Sequence, residues 1–378
     1  MPGRKSIFVY SSKLEKYGYP PEHPFNTDRA RKVREIVTSM GLLSGPGQQE
    51  IAPTPAPRTT LKKFHTARYL KVLKLAGDGK IEPDAIRMGI SSPDCPAFKG
   101  VYEYSVLATG GTLNAVKMLL NNQADAAFNP SGGFHHAMPE KAAGFCYIND
   151  VALACIELTE SGKKVLYLDV DVHHGDGVVY AFYDRSDVMT ISFHQNPRTL
   201  FPGTGFVDEI GSGEGKGYCI NVPLPIGTYD DIYIEAFQEI VPPLYRAFNP
   251  DVIVFELGAD ALAGDPLANL NLTNNTYVEI INRLLGFAKP MLMTGGGGYN
   301  IENTVRAWAL AWSILCGEDV KGDMDLAAGG IMLETTEWQG GLRDRALVLS
   351  EQQKTSVSSE VRKTIKKVEE NVFPLHSL

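Results

Sequence analysis

Short apolar runs alternate with longer amphipathic segments over most of the chain. The short runs are rich in β-branched or aromatic residues and are bounded by turn residues, which is typical of buried strands. They cover residues 6–11, 125–129, 164–170, 187–194, 251–259 and 290–295. The pieces between them have the length and apolar spacing of helices. These include residues 28–41, 101–122, 149–162, 232–248, 275–288 and 302–317.

Strands and helices in alternation favour an α/β fold, with a central, mostly parallel sheet and helices on both faces. No Pro/Ser-rich linker, low-complexity tract or internal repeat divides the chain. We therefore expect one domain. In open parallel sheets, ligands bind beyond the carboxyl ends of the strands, so chemistry is expected there.

Composition narrows the class of protein. Apolar residues make up 44% of the 378 residues, which is ample for a core, and the formal net charge of −8 disfavours attraction to nucleic acid or anionic lipid. The five cysteines are scattered, which fits a reducing compartment better than a disulfide framework. No apolar segment has the length of a signal peptide core or a membrane span. We expect a soluble cytoplasmic protein with no direct contact to nucleic acid or membrane.

The segment LYLDVDVHHGDG, residues 166–177, ends an apolar strand in a concentration of charge. Its period of two sends Asp169, Asp171 and His173 out of the strand end on one side. Converging carboxylates repel each other unless a cation joins them, and carboxylate with imidazole suits zinc or a similar divalent ion. Asp260 ends another apolar run and is a candidate third ligand, which would leave one coordination position open for catalysis. A capped turn with a satisfied histidine is the structural alternative.

Two further segments carry candidate chemistry. His135 and His136 are adjacent, and each could pair with a carboxylate, Asp169 or Asp176, which would orient the ring and raise its basicity. Tyr299 follows four glycines between a predicted strand and a predicted helix. The spacing of those glycines does not match a dinucleotide-binding loop. We therefore interpret Tyr299 as a phenol able to donate to an oxyanion beside the metal.

These motifs closely resemble the zinc-dependent histone deacetylase superfamily. The resemblance rests on HHAMPEKAAGFCYINDVALA, LDVDVHHGDGV, FPGTGF, LGADALAGDP and GGGGYN, with their spacing kept over about residues 5–318. Within the superfamily the chain is most similar to prokaryotic acetoin-utilization-type members, relatives of the class I enzymes. The resemblance implies a single arginase-like α/β domain around a parallel sheet.

The resemblance also implies catalytic roles. The zinc ligands of the family match Asp171, His173 and Asp260. The general base and acid matches His136, paired with Asp176, and its electrostatic companion matches His135, paired with Asp169. Tyr299 matches the phenol that polarises the amide carbonyl. One zinc ion per chain is expected, and the choice between zinc and iron in the cell is left open.

Substrate contacts follow from the same resemblance. Phe145 and Phe201 match the walls of a narrow tunnel for the acyl-lysine stem. Gly144 and Asp94 match positions that hydrogen-bond the amide and backbone of the substrate, and Arg29 matches the arginine of an internal acetate pocket.

The family also binds one or two potassium ions. The nearer site would use side-chain oxygens of Asp169 and Ser192 with the carbonyls of Asp171, His173 and Phe193. The farther site would use the carbonyls of Phe182, Arg185 and Val188 with the hydroxyl of Tyr218.

The implied activity is hydrolysis of acetyl, or other short acyl, groups from lysine side chains of proteins. The entrance segment GYPPEHPFNTDR departs from the class I pattern, so acetylpolyamines, other small amines and longer acyl chains remain alternatives. A catalytically inactive acyl-lysine reader is disfavoured because the metal ligands and Tyr299 are present. Gly258 stands where arginases have an aspartate for a second metal, which favours a single catalytic metal.

The resemblance predicts a deacetylase domain over residues 1–320 and a C-terminal extension over residues 321–378. In the extension, apolar residues recur at helical spacing: Val361, Ile365, Val368 and Val372. This predicts an amphipathic helix packed on the same domain. A partner-binding or oligomerisation helix is the alternative, and the oligomeric state is left open.

Overall fold

The computed structural model describes residues 4–318 and 341–378. Within them, an eight-stranded sheet has the order β2-β1-β3-β8-β7-β4-β5-β6, and each neighbouring pair is parallel. The strands are β1 (Ser6–Val9), β2 (Gln48–Ile51), β3 (Ala126–Asn129), β4 (Val165–Asp169), β5 (Val188–Gln195), β6 (Cys219–Leu224), β7 (Val252–Glu256) and β8 (Met291–Thr294). The predicted α/β fold with a parallel sheet is confirmed.

α-Helices lie in most of the connections between the strands, as is usual for parallel pairing, and the last two helices follow β8. In the first half they are α1 (Arg29–Ser39), α2 (Arg58–Leu61), α3 (Ala67–Gly77), α4 (Pro83–Arg87), α5 (Val101–Leu120) and α6 (Asp150–Glu160). In the second half they are α7 (Asp176–Phe182), α8 (Asp230–Phe248), α9 (Asn274–Gly286), α10 (Ile301–Leu315) and α11 (Glu351–Val372).

Both faces of the sheet are buried, so strands such as β4 are apolar on each side. Leu166 and Leu168 pack in a core with residues of α1, α8, α9 and α10. Val165 and Tyr167, which point the other way, pack with residues of α5 and α6. This alternation is the period of two of a strand, and it fixes which side chains reach each layer.

Two strands were not predicted from the hydrophobic pattern. β2 is only half-buried and reads QQEI, so it lacks the apolar character of the other strands. β6 reads CINVPL and contains Pro223, a residue found mainly in edge strands, and β6 does form an edge of the sheet.

The C-terminal helix α11 packs against β6 and α8. Its buried residues form one stripe: Val361, Ile365, Val368 and Val372. Arg362 pairs with Glu235 on α8 at 2.6 Å, and a capping box of Ser350 and Gln353 begins the helix. The predicted domain boundary at residue 320 lies outside the described residues, so the division into a domain and an extension stays a prediction.

Among the described helices, none combines the length and the apolar character that crossing a bilayer requires.

Candidate active site

The carboxyl edge of the sheet gathers polar residues from four adjacent strands, β3, β8, β7 and β4. Because the strands are parallel, the segments that follow them meet at one edge. Those segments carry, in chain order, His135 and His136, Asp171 and His173, Asp260, and Tyr299. The residues singled out from the sequence therefore lie in one place.

Asp171, His173 and Asp260 form a buried cluster whose ligand atoms all lie within 4.8 Å of one another. Nδ1 of His173 is 3.1 Å from Oδ1 of Asp171 and 3.0 Å from Oδ2 of Asp260. Backbone amides hold the carboxylates: the N–H of Gly297 donates to Asp171 at 2.6 Å, and that of Val172 donates to Asp260 at 2.9 Å. The three side chains therefore have fixed orientations.

The electrostatics of this cluster fit a cation. Burial, together with the charge of Asp171, raises the pKa of Asp260 to about 7. Two carboxylates in an enclosed site are stabilised when a metal ion neutralises them. A Cβ atom at Gly297 would collide with Asp260, and one at Gly258 would collide with Asp171. The glycines therefore leave room for the ligands, and an aspartate at position 258 would displace Asp171.

The adjacent histidines pair with different carboxylates. Nδ1 of His135 lies 3.0 Å from Oδ2 of Asp169, and Nδ1 of His136 lies 2.7 Å from Oδ1 of Asp176. Their Nε2 atoms are 3.0 Å from each other. Of the two pairings that the sequence left open for each histidine, the structure contains the one that the family resemblance implied.

The two histidines differ in charge. Burial alone would lower the pKa of His135, but the carboxylates of Glu256 and Asp169 outweigh it and raise this pKa well above its ordinary value. Burial, together with the charge on His135, lowers the pKa of His136 to about 4. A neutral imidazole is therefore available at His136 to accept a proton at neutral pH.

Tyr299 sits beside the metal-binding cluster. Its ring lies edge-on to His173, with centroids 6.4 Å apart, and to Phe145 at 5.5 Å. Burial raises the pKa of the phenol well above 10, and the charge of Asp260 raises it further. The hydroxyl therefore keeps its proton at neutral pH. The backbone N–H of Tyr299 donates to Oδ2 of Asp265 at 2.7 Å.

Arg29 is buried behind the glycine segment that precedes Tyr299. Its guanidinium donates to the carbonyls of Gly298 at 2.8 Å and Gly296 at 3.0 Å. It also lies over the rings of Phe25 and Trp308. In this structure Arg29 holds the loop that carries Tyr299, and its role in an acetate pocket stays a prediction.

Two aromatic residues lie beside the cluster. The ring of Phe201, 46% exposed, lies 5.0 Å from the ring of His136. Phe145 lies beside Tyr299 and adopts a positive φ of 65°, which is unusual for an aromatic residue. Oδ2 of Asp94 accepts the N–H of Gly144 at 2.7 Å, immediately before Phe145. Asp94 therefore holds the backbone next to Phe145, and its contact with substrate stays a prediction.

The residues proposed for potassium lie at two places. Asp169, the last residue of β4, is the cross-strand partner of Ser192 within β5, and Ser192 Oγ lies 2.8 Å from Nδ1 of His194. Phe182 ends α7, Arg185 follows it, Val188 begins β5, and Tyr218 immediately precedes β6. Their roles as ligands stay predictions.

Two buried acids at this site, Glu256 and Asp265, were not predicted from the sequence. Glu256 ends the apolar strand β7 and is the register partner of Asp169. Asp265 lies in the turn after Asp260 and accepts the amides of Tyr299 and Asn300. An acid within an apolar run was the available signal for Glu256, but only the strand order brings it to His135.

Comparison with known proteins places this geometry in a family. The family model described as "Histone deacetylase domain" matches residues 23–315. "Histone deacetylase 3" of Oryza sativa subsp. japonica is 38% identical over 322 residues, 84% of this chain and 62% of that protein. "Histone deacetylase clr6" of Schizosaccharomyces pombe is 37% identical over 322 residues, 84% of this chain and 78% of that protein. The chain thus spans less than two thirds of the rice relative.

The solved structures agree with the sequence comparison. An "HDAC homolog from Aquifex aeolicus" superposes with a TM-score of 0.86 at 31% identity, covering 97% of this chain and 100% of that one. The family match includes every residue of the metal-binding cluster, both histidines and Tyr299. The superfamily resemblance seen in the sequence motifs is confirmed: this chain belongs to the histone deacetylase family.

Proposed function

We propose that this protein is a zinc-dependent lysine deacetylase that hydrolyses the acetyl amide of lysine side chains in proteins. The observation that carries the proposal is that three functional groups lie together at one buried site. These are the Asp171, His173 and Asp260 cluster, the His136–Asp176 pair and the protonated phenol of Tyr299. Metal-assisted amide hydrolysis requires a metal-binding site, a base and a donor to the oxyanion.

Asp171, His173 and Asp260 would hold zinc, which would supply polarisation of the acyl carbonyl and a lowered pKa for a bound water. Nε2 of His136 accepts the proton of the attacking water while Asp176 holds Nδ1. The same nitrogen then delivers that proton to the departing lysine amine as the C–N bond breaks. The hydroxyl of Tyr299 donates to the amide oxygen, where negative charge grows. The products are acetate and lysine.

The aromatic residues beside the site favour a substrate with an extended aliphatic stem. The rings of Phe145 and Phe201 lie on either side of the catalytic residues, beside Tyr299 and His136 respectively. Apolar walls exclude water and leave polar recognition to the rim. The second oxygen of Asp94 is available to accept a backbone N–H of a peptide, which an acetylpolyamine does not have. We therefore place protein lysines ahead of small amines as substrates.

Potassium binding, the cellular location and the branch of the family are further parts of the same proposal. One or two potassium ions would bind at the two places described above, and Asp169 and Ser192 support the nearer of these as buried oxygen ligands on adjacent strands. We also propose a cytoplasmic location, and membership of the acetoin-utilization-type branch on the sequence motifs.

The substrate test compares an acetyl-lysine peptide with an acetylpolyamine, using wild type and the Asp94→Asn variant. The substituted side chain keeps one oxygen for the N–H of Gly144 but replaces the other acceptor with a donor, so the rim is retained while the peptide contact is lost. The peptide should have the higher kcat/KM and should suffer more from D94N. A tenfold preference for the polyamine would favour the small-amine alternative. Turnover of long acyl chains alone would make the protein a deacylase.

A further inference from the structure

Glu256 is a fully buried carboxyl group with no part in the mechanism above. It ends β7 directly opposite Asp169 on β4. Among the described residues, its Oε1 atom makes no hydrogen bond. Burying a carboxyl group costs free energy unless charges or donors compensate, so an oxygen without a hydrogen bond here calls for a physical reason.

The reason lies in the surroundings of His135. Oε1 of Glu256 is 3.0 Å from Nδ1 of His135, the same distance as Oδ2 of Asp169. The hydroxyl of Tyr167 lies between the two acids, 2.5 Å from Oδ2 of Asp169 and 3.0 Å from Oε2 of Glu256. Two carboxylates thus face one ring nitrogen, and one phenol ties them together.

We propose that Glu256 is a positioning residue for His135. This rests on the proposed function, because the part of His135 in hydrolysis is proposed there. Glu256 holds the imidazole of His135 from its Nδ1 side, so that Nε2 of His135 stays 3.0 Å from Nε2 of His136. Glu256 is not a member of the Asp171, His173 and Asp260 cluster, and in this proposal it acts only through His135 and its partners.

Two substitutions distinguish the contribution of the polar atoms of Glu256 from that of its volume. In E256Q, the amide oxygen can still face Nδ1 of His135, and the amide N–H can donate to the oxygen of Tyr167. E256L has a similar volume but no polar atom. Thr294→Val is the matched control, since Thr294 is the partner of Glu256 on β8, is buried, and has a hydroxyl without a hydrogen bond.

The kinetic test is a double-mutant cycle with His135→Ala on an acetyl-lysine peptide. E256L should lower kcat about 10-fold, the low end for residues that orient a functional histidine, with KM unchanged. E256Q should recover most of this loss, and T294V should match wild type. In the H135A background, E256L should have no further effect. Wild-type kcat in E256L, or the same fold loss with and without His135, would overturn the proposal.

A second measurement does not depend on activity. In the zinc-loaded protein with ¹⁵N-labelled histidine, the Nδ1–H signal of His135 is identified by its absence in H135A. Its exchange with water should be faster in E256L than in wild type or T294V, while zinc content stays the same. Unchanged exchange in E256L would overturn the positioning role. So would loss of a second metal equivalent, which would make His135, Asp169 and Glu256 a metal site.

The two readouts distinguish the two proposals. If wild type does not hydrolyse the peptide but the signal of His135 responds to E256L, the positioning role stands and the proposed function falls. If wild type is active and neither kcat nor exchange responds, only the role of Glu256 falls.

Discussion

His135 and His136 are neighbours in the chain, and their Nε2 atoms meet 3.0 Å apart while their Nδ1 atoms contact different carboxylates. The environment of His135 favours the charged imidazole, and that of His136 favours the neutral one. Pairs of titratable groups whose pKa values are pushed apart are typical of acid–base sites. The different protonation states of the two histidines therefore reflect the different acids that their side chains contact.

Removing a ligand should empty the metal site. Asp260→Ala or His173→Ala leaves two of the three proposed ligands, so zinc content and hydrolysis should both fall to background. Metal analysis of the purified variants measures this directly. Asp78→Ala removes an exposed carboxylate that is not part of the cluster and should keep full zinc. Near-stoichiometric zinc in both ligand variants would rule out this assignment.

Tyr299→Phe removes a single hydroxyl whose donation matters mainly in the transition state. We expect kcat to fall ~10²–10³-fold, the typical loss for one oxyanion donor. KM for the peptide and zinc content should change little, because the ring and its contacts remain. Steady-state kinetics with parallel metal analysis would show this. Wild-type turnover in the variant would exclude Tyr299 from the mechanism.

Asp265 should matter through Tyr299. Its carboxylate accepts the backbone amide of Tyr299 at 2.7 Å, so Asp265→Ala frees the segment that carries the phenol. We expect kcat to fall about 10-fold, with Asp265→Asn retaining more activity because one acceptor oxygen remains. In the Tyr299→Phe background the alanine substitution should add little. Equal fold losses in both backgrounds would show that Asp265 acts by another route.

His65 should make stability depend on pH. Burial lowers its pKa to about 4, and its Nε2 accepts the N–H of Asn149, whose side chain holds the carbonyl of His135. Between pH 6.5 and about 4 the unfolded chain binds a proton that the folded chain does not. The free energy of unfolding should therefore fall over this range, by roughly 3 kcal/mol from this group alone.

His65→Gln keeps an acceptor for Asn149 and removes the titration. Urea unfolding at a series of pH values should show a shallower decline below pH 6.5 in the variant than in wild type. Curves that remain parallel from pH 6.5 to 4 would contradict the assignment.

The hydrophobic pattern predicted the inner strands well because burial on both faces makes them continuous apolar runs. β4 and β7 were found for this reason. β2 was missed because it is a half-buried edge strand with few apolar residues, so it leaves no apolar run in the sequence. Its place in the sheet is seen only from its pairing with β1. Strand order is a long-range property, and local periodicity does not encode it.

The residues of the candidate site were predictable because several of them follow strand ends, where open parallel sheets bind their ligands. Asp171 and Asp260 stood out as acids after apolar runs. Glu256 also ends an apolar run but was passed over, since only the pairing of β7 with β4 turns it toward His135. In the sequence, Asp265 looks like an ordinary turn aspartate. What distinguishes it is that it accepts the backbone N–H of Tyr299, 34 residues away, and this contact is seen only in the folded chain.

The most direct test of the account is hydrolysis of an acetyl-lysine peptide by protein loaded with increasing, measured amounts of zinc. Mass spectrometry would follow free lysine peptide and acetate. We predict that both products appear in equal amounts and that the rate rises in proportion to bound zinc up to one equivalent. His173→Ala should stay inactive throughout. An intact peptide at full zinc occupancy would contradict the account.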